Sequence, residues 1–171
     1  MTELNLDIEQ ILHQMANEVQ QQLADRTPLI IGIHTGGVWV ANALLTRLPD
    51  FFDAPLGTLN IAYYRDDFTR IGMHPQVTPS DLPFSIDDRH LLLVDDVLQS
   101  GRTVRAALNE LFDYGRPASV TLAVLIERDG RELPIQADII GHSVSLTARQ
   151  HIKLKQEQGL QLVLLDEGGQ P

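Results

Sequence analysis

Two stretches of the chain repeat the same order of events: a short apolar run, a turn containing glycine, then apolar residues at helical spacing. Leu29-Ile30-Ile31-Gly32-Ile33 leads through His34-Thr35-Gly36-Gly37 into the helical pattern of Val38 to Leu48, and Leu91-Leu92-Leu93-Val94 leads through Asp95 to Thr103 into Val104 to Tyr114. Apolar runs without polar alternation belong to strands covered on both faces. Strand, turn and helix in repeated order predict a mainly parallel sheet with helices on its two sides, an α/β class. Other segments fit that plan. Ile8, Ile11, Leu12, Met15, Val19 and Leu23 mark one face of an amphipathic helix, and Gly115 with Pro117 stops the helix that ends at Tyr114. Thr58 to Tyr64 and Ser119 to Ile126 read as further strands, with Ile139-Ile140 and Leu160 to Leu165 as short strands in a less regular tail.

Between Arg65 and Asp88 the periodicity stops, and Pro75, Pro79 and Pro83 punctuate the stretch. Loops longer than about 12 to 15 residues inside a compact domain are commonly lids or binding loops, so a lid is expected here. The 171 residues, 43 % of them apolar, suit a single domain spanning 1–171. The apolar runs are too short for a bilayer, and the opening MTELNLDIEQ lacks the basic and apolar parts of a secretion signal, which predicts a cytoplasmic protein with no membrane partner. Without cysteine, thiol nucleophiles, disulfides and zinc-thiolate sites are excluded. The net charge of −10, with Lys153 and Lys155 the only lysines, opposes a nucleic-acid backbone unless arginines cluster locally.

Ligands of open parallel sheets bind beyond the carboxyl ends of the strands. After Val94 comes Asp95-Asp96-Val97-Leu98-Gln99-Ser100-Gly101-Arg102-Thr103. Two adjacent carboxylates following a buried strand are costly unless they meet water, a cation or a polyhydroxyl ligand. The residues after them offer backbone N–H groups, two hydroxyls, a permissive glycine and a helix N-terminus, the makings of an anion cradle. Carboxylates for ribose hydroxyls beside a cradle for a phosphate describe a sugar-phosphate site. Other phosphate motifs fit poorly. Gly101-Arg102-Thr103 lacks the lysine and glycine spacing of a Walker loop, no G-x-G-x-x-G is present, and a phosphoacceptor domain would need a lysine after a later strand, whereas both lysines sit in the tail.

LLLVDDVLQSGRT, Leu91 to Thr103, resembles the diphosphate-sugar signature of the type I phosphoribosyltransferases. GTLNIAYYRDDFTR, TVRAALNEL with DYGRPASV, and LAVLIERDGRELPIQADIIG resemble one branch of them, the PyrR family of pyrimidine operon regulators with uracil phosphoribosyltransferase activity. The resemblance implies the type I phosphoribosyltransferase fold with a small hood and a long flexible loop. It implies transfer of ribose 5-phosphate from 5-phosphoribosyl diphosphate (PRPP) to uracil, giving UMP, with Mg²⁺ bound alongside PRPP near Asp95 and Asp96. Asp95 and Asp96 would hold the ribose hydroxyls, Asp96 would stabilise positive charge on the ribose ring, and Gln99 to Thr103 would take the 5′-phosphate. Thr35, Gly36 and Gly37 would hold the diphosphate. Related loops commonly read Thr-Arg-Gly, so Gly36 is a departure. Arg65, with Asp66, would close over the reactants, Arg65 reaching the diphosphate. Ile126, Glu127, Arg128 and Asp129, with the segment up to Ile140, would form the hood over the base. His34 is read as a packed residue outside the catalytic set.

Members that bind the pyrimidine leader RNA present a basic face, matched here by Arg128, Arg131, Gln136 and His142. Gln136 and His142 are uncharged at neutral pH, which weakens the expected contact with phosphates. The alternative to the transferase is therefore a UMP-responsive RNA-binding attenuator with a vestigial active site, and a third is a transferase for another base. The family usually assembles as homodimers or homotetramers.

Overall fold

The computed structural model describes residues 1–61 and 79–168. In chain order the elements are β1 (Thr2–Glu3), α1 (Ile8–Leu23), β2 (Leu29–Ile33), α2 (Gly36–Arg47), β3 (Gly57–Leu59), β4 (His90–Leu98), α3 (Arg102–Tyr114), β5 (Ser119–Arg128), β6 (Ile139–Val144), β7 (Gln150–Gln156) and β8 (Leu160–Asp166). Five strands form a parallel sheet in the order β3-β2-β4-β5-β6, and β1, β8 and β7 form a smaller antiparallel sheet.

Side-chain alternation along β4 explains the layers. Leu92 and Val94 pack with α1 and α2 residues such as Met15, Val19, Val40 and Leu44, while Leu91 and Leu93 pack on the other face with Val104, Ala107 and Leu111 of α3. Helices therefore cover both faces, as the unbroken apolar runs demand. Leu154 and Leu162 of the small sheet join the α1–α2 side of the core. Asp7 caps α1 by accepting a hydrogen bond from the Gln10 N–H at 3.1 Å.

Three differences from the sequence reading matter for the site. First, β4 does not stop at Val94. Its ladder with β5 continues through Asp95↔Val124, Val97↔Ile126 and Leu98↔Glu127, so the acidic pair lies within the strand rather than in the loop beyond it. Backbone pairing carries a strand past the end of its apolar run. Secondly, the small sheet is built from β1, β7 and β8. The segment 126–140 instead comprises the end of β5, a connection and the start of β6, both strands of the main sheet. Thirdly, the proline-rich stretch is only partly described. Arg65 and Asp66 lie outside the described residues, whereas Asp81 pairs with Thr58 in an isolated bridge and Ile86 is buried in the core.

Candidate active site

Beyond the carboxyl ends of β2 and β4 lies a cavity of about 320 Å³, bounded by His34, Thr35 and Gly36, by Asp95 to Gly101 with Thr103 and Val104, and by Ile152 and Lys153 of β7. Its size suits a small ligand with a few convergent polar groups. The two loops singled out in the sequence thus meet at one place, with the small sheet as the third wall.

The loop after β2 enters α2 directly. The carbonyl of Thr35 accepts from Val38 N at 3.2 Å, and the His34–Thr35 peptide bond is cis. Gly37 is required by the backbone that lies against it, whereas a side chain at position 36 would displace the Asp96 carboxylate from its present place. A Cβ on Gly37 would stand 2.5 Å from the Val94 carbonyl oxygen, and one on Gly36 would stand 2.2 Å from Oδ2 of Asp96. Their absence lets the first turn of α2 rest on the acidic end of β4. The carboxylate of Asp96 fills the space that a side chain at position 36 would take.

Asp95 is 5 % exposed, and its Oδ1 accepts from the Asp96 N–H at 2.9 Å. Asp96 is half-buried, and its Oδ1 accepts from the Val97 N–H at 2.9 Å. These hydrogen bonds fix the carboxylate rotamers. His34 borders the same cavity, its backbone N–H donating to the Leu59 carbonyl at 2.9 Å, and burial pushes its imidazole below the ordinary pKa of 6.5. A neutral ring fits the reading of a packed residue.

The cradle is a tight turn into α3. Gly101 is the N-cap with φ 92°, a left-handed conformation suited to glycine, and its hypothetical Cβ would stand 3.0 Å from Ile135. The hydroxyl of Ser100 accepts from the Arg102 N–H at 3.1 Å. Arg102 turns its guanidinium away from the cavity to Glu132, at 2.6 Å, so what it can offer a phosphate is its main chain.

The residues expected to form the hood lie along the end of β5 and the turn after it. Ile126 is fully buried in the core, Asp129 accepts from the Leu146 N–H, and Glu127 is bound to Arg131 and Ser143. None of these four lines the cavity; Glu127, Arg128 and Asp129 border a separate hollow of about 270 Å³ with Arg131 and Ser143. Arg128 fails as part of a basic face. It is 4 % exposed, and its guanidinium donates to the carbonyls of Gln150, at 2.5 Å, and Thr147, at 3.2 Å. Those carbonyls belong to a segment distant in sequence, so no local pattern announces them. His142 is exposed on β6, and Gln136 is exposed in the connection before it.

Sequence reasoning missed Lys153 and Ile152, having left that segment as an irregular tail. Among the described residues bordering the cavity, Lys153 is the one cation besides any protonated His34. The available signal was the alternation in Ile152-Lys153-Leu154-Lys155, which reads as a half-buried strand.

Residues 3–154 match the phosphoribosyl transferase domain family. A protein of Nitrosococcus oceani named bifunctional protein PyrR is 61 % identical over 161 residues, 92 % of this chain and 91 % of that protein. One of the same name from Pseudomonas paraeruginosa is 58 % identical over 148 residues, 85 % of this chain and 86 % of its own. Among solved structures, a hypoxanthine-guanine-xanthine phosphoribosyltransferase matches with a TM-score of 0.62 and 25 % identity, covering 81 % of this chain and 74 % of that one. A hypoxanthine-guanine phosphoribosyltransferase from Bacillus anthracis, 15 % identical, shares the fold with a TM-score of 0.68 over 84 % of each chain. Fold, the loops that meet at the cavity, and relatives that span nearly the whole length agree: the chain is a phosphoribosyltransferase and belongs to the PyrR family.

Proposed function

We propose that this protein transfers ribose 5-phosphate from PRPP to uracil, forming UMP and diphosphate, as one domain over residues 1–171. The observation that carries the reading is the placing of Asp95 and Asp96 in one cavity between two turns rich in main-chain amides, Thr35 to Gly37 and Gln99 to Thr103. The ligand has the same order of chemistry: diphosphate at one end, a diol in the middle, a phosphate monoester at the other.

In the reaction the bond from the ribose C1 to the diphosphate oxygen breaks and a bond from C1 to a uracil nitrogen forms, the nitrogen losing its proton. Positive charge gathers on the ring as the diphosphate leaves, and the carboxylate of Asp96, with Asp95 behind it, stabilises that charge. The N–H groups at the start of α2 receive the departing oxygens. Lys153 on β7 adds a cation to a cavity that otherwise presents two carboxylates to an anionic substrate. The resemblance would assign Arg65 and Asp66 to covering the reactants, and both lie outside the described residues.

The residues present fit Mg²⁺ held jointly with PRPP. Asp95 and Asp96 both border the cavity, and Mg²⁺ is commonly held by one or two carboxylates with its remaining ligands drawn from substrate phosphates and water. When bound, Mg²⁺ would offset charge on the diphosphate and ribose oxygens.

RNA binding is the second reading, supported by the word bifunctional in the relatives' names. We place the protein in the cytoplasm as a homodimer or homotetramer; among the described residues no helix is long and apolar enough to cross a membrane. The test combines labelled uracil, hypoxanthine or orotate with PRPP and Mg²⁺, alongside retention of pyrimidine-leader RNA at several salt concentrations. UMP formation from uracil supports the transferase. Turnover of another base in its place refutes it, and RNA retention without turnover selects the regulator with a vestigial site.

A further inference from the structure

The turn that would take the 5′-phosphate is held from behind by the segment after β5. Arg131 donates through one guanidinium nitrogen to the Gln99 carbonyl at 2.5 Å and through another to Glu127 Oε1 at 2.7 Å. Glu127 is itself steadied on β5, its second oxygen accepting from the Ser143 hydroxyl of β6 at 3.3 Å. One residue on, the carbonyl of Ser100 accepts from the N–H groups of Glu132 and Leu133 at 3.0 and 3.1 Å. Gly130, with φ 110°, leaves room for the Gln99 side chain, which a Cβ there would approach at 3.3 Å.

A peptide unit is planar and trans, so its C=O and N–H point in opposite directions. Gln99 C=O shares a plane with Ser100 N–H, and Ser100 C=O shares one with Gly101 N–H. With both carbonyls drawn toward residues 131–133, both N–H groups are aimed the other way. Gln99, Ser100 and Gly101 border the cavity, whereas none of residues 131–133 does. The buttress therefore orients two consecutive donors before any ligand arrives, which lowers the ordering cost of binding.

We propose that Arg131 is a positioning residue for the sugar phosphate: it fixes the peptide between Gln99 and Ser100, and through it the amides that bind the phosphate monoester, without touching the ligand. This rests on the proposed reading of the Gln99–Thr103 turn. It also assigns Arg131 an inward task in place of the RNA contact expected from the sequence. The exposed pair Arg102–Glu132 on the rim of the same segment contributes little, both side chains being more than half exposed.

The test separates the two ends of the site. Calorimetric titration compares ribose 5-phosphate, which engages the Gln99–Thr103 turn, with methylene diphosphonate plus Mg²⁺, which engages the loop after β2. Removing a hydrogen bond from a charged donor is expected to raise the Kd of ribose 5-phosphate roughly tenfold in Arg131→Met. The Kd of the diphosphonate should stay within about twofold, and Arg131→Lys, which keeps a donor, should fall between wild type and Arg131→Met. Equal weakening of both ligands would mean general damage to the fold and overturn the proposal, as would unchanged ribose 5-phosphate affinity or an absence of ribose 5-phosphate binding in the wild type. UMP formation by the wild type is followed separately, so loss of the uracil reading would not be confused with loss of this one.

Discussion

Replacing Gly101 gives a graded test of the cradle, because two separate penalties act at that residue. Its φ of 92° lies in the left-handed region, where an ordinary side chain costs about 1–2 kcal/mol and a β-branched one more. Any Cβ would also stand 3.0 Å from Cβ and Cγ1 of Ile135, a side chain packed against the α3 side of the core, so Ile135 must give way. Gly101→Ala meets the backbone strain and this contact. Gly101→Val adds two methyl groups at a tight position, bringing the total to about 2–4 kcal/mol. For a chain of this size each kcal/mol lowers Tm by about 2–4 °C, so the valine variant should melt roughly 5–15 °C below wild type. Gly101→Asn makes the same Cβ contact but tolerates positive φ better, so melting points should rank asparagine above alanine above valine. Because the strained residue carries one of the amides aimed at the phosphate, the KM for PRPP should rise by roughly tenfold or more in the valine variant, while that for uracil holds. Calorimetric melts and initial-rate kinetics on the three variants decide the matter. A valine variant with wild-type melting and PRPP affinity would refute the reasoning about this turn.

Asp96→Asn keeps the shape but removes the charge, and should lower kcat by about a hundredfold with Tm nearly unchanged; full turnover in that variant would exclude an electrostatic role. Gly36→Arg restores the residue common in related loops, but its Cβ would fall 2.2 Å from Asp96 Oδ2, so Asp96 must leave its place and turnover should fall; equal or faster turnover would show that this contact does not fix the carboxylate. Lys153→Met should raise the KM for PRPP by roughly threefold to tenfold and flatten its dependence on salt, and an unaltered salt profile would reject a charge contact. His34 has its pKa lowered from 6.5 by burial, so the unfolded chain takes up its proton at higher pH than the fold does. Its contribution is complete above about pH 6.5 and is lost as pH falls through the lower folded value; thermal melts of His34→Gln should show a flatter pH dependence in that acidic range, and superimposable curves would disprove the linkage.

Local patterns were enough to place the elements that lead into the site. The helical face of Ile8 to Leu23 and the apolar runs at Leu29–Ile33 and Leu91–Val94 lie where periodicity predicts, because each buries its side chains against the sheet core. What escaped was set by partners remote in sequence. Asp95 and Asp96, whose side chains disfavour a strand, remain within β4 because β5 offers a ladder there. Arg128 looks like a surface cation until its guanidinium is seen between the carbonyls of Thr147 and Gln150. Gln150–Gln156 is a largely polar strand whose inward positions, Ile152 and Leu154, are easily lost among Lys, Gln and His. Ile152 and Lys153 of β7 nonetheless border the cavity.

The position of the cavity follows from strand order, which no single segment encodes. β2 pairs with β4 only from Leu29↔Leu91 to Gly32↔Val94, whereas β5 follows β4 as far as Leu98. Past Val94, then, one edge of β4 has lost its neighbouring strand. The chain leaving β2 turns to α2 on one face of the sheet, and the chain leaving β4 turns to α3 on the other, since Val40 and Leu44 pack with Leu92 and Val94 while Val104 and Leu111 pack with Leu91 and Leu93. Diverging crossovers open a crevice between two adjacent strands, and the helix N-termini on either side line it with N–H groups. Asp95 and Asp96 occupy the unpaired edge inside that crevice, and Gly36 and Gly37 let α2 approach them closely. Carboxylates set in a field of amides recognise a molecule that is neutral and hydroxylated at its centre and anionic at its ends. A purely anionic ligand would be repelled by the pair, and a purely neutral one would leave the amides at both ends without partners.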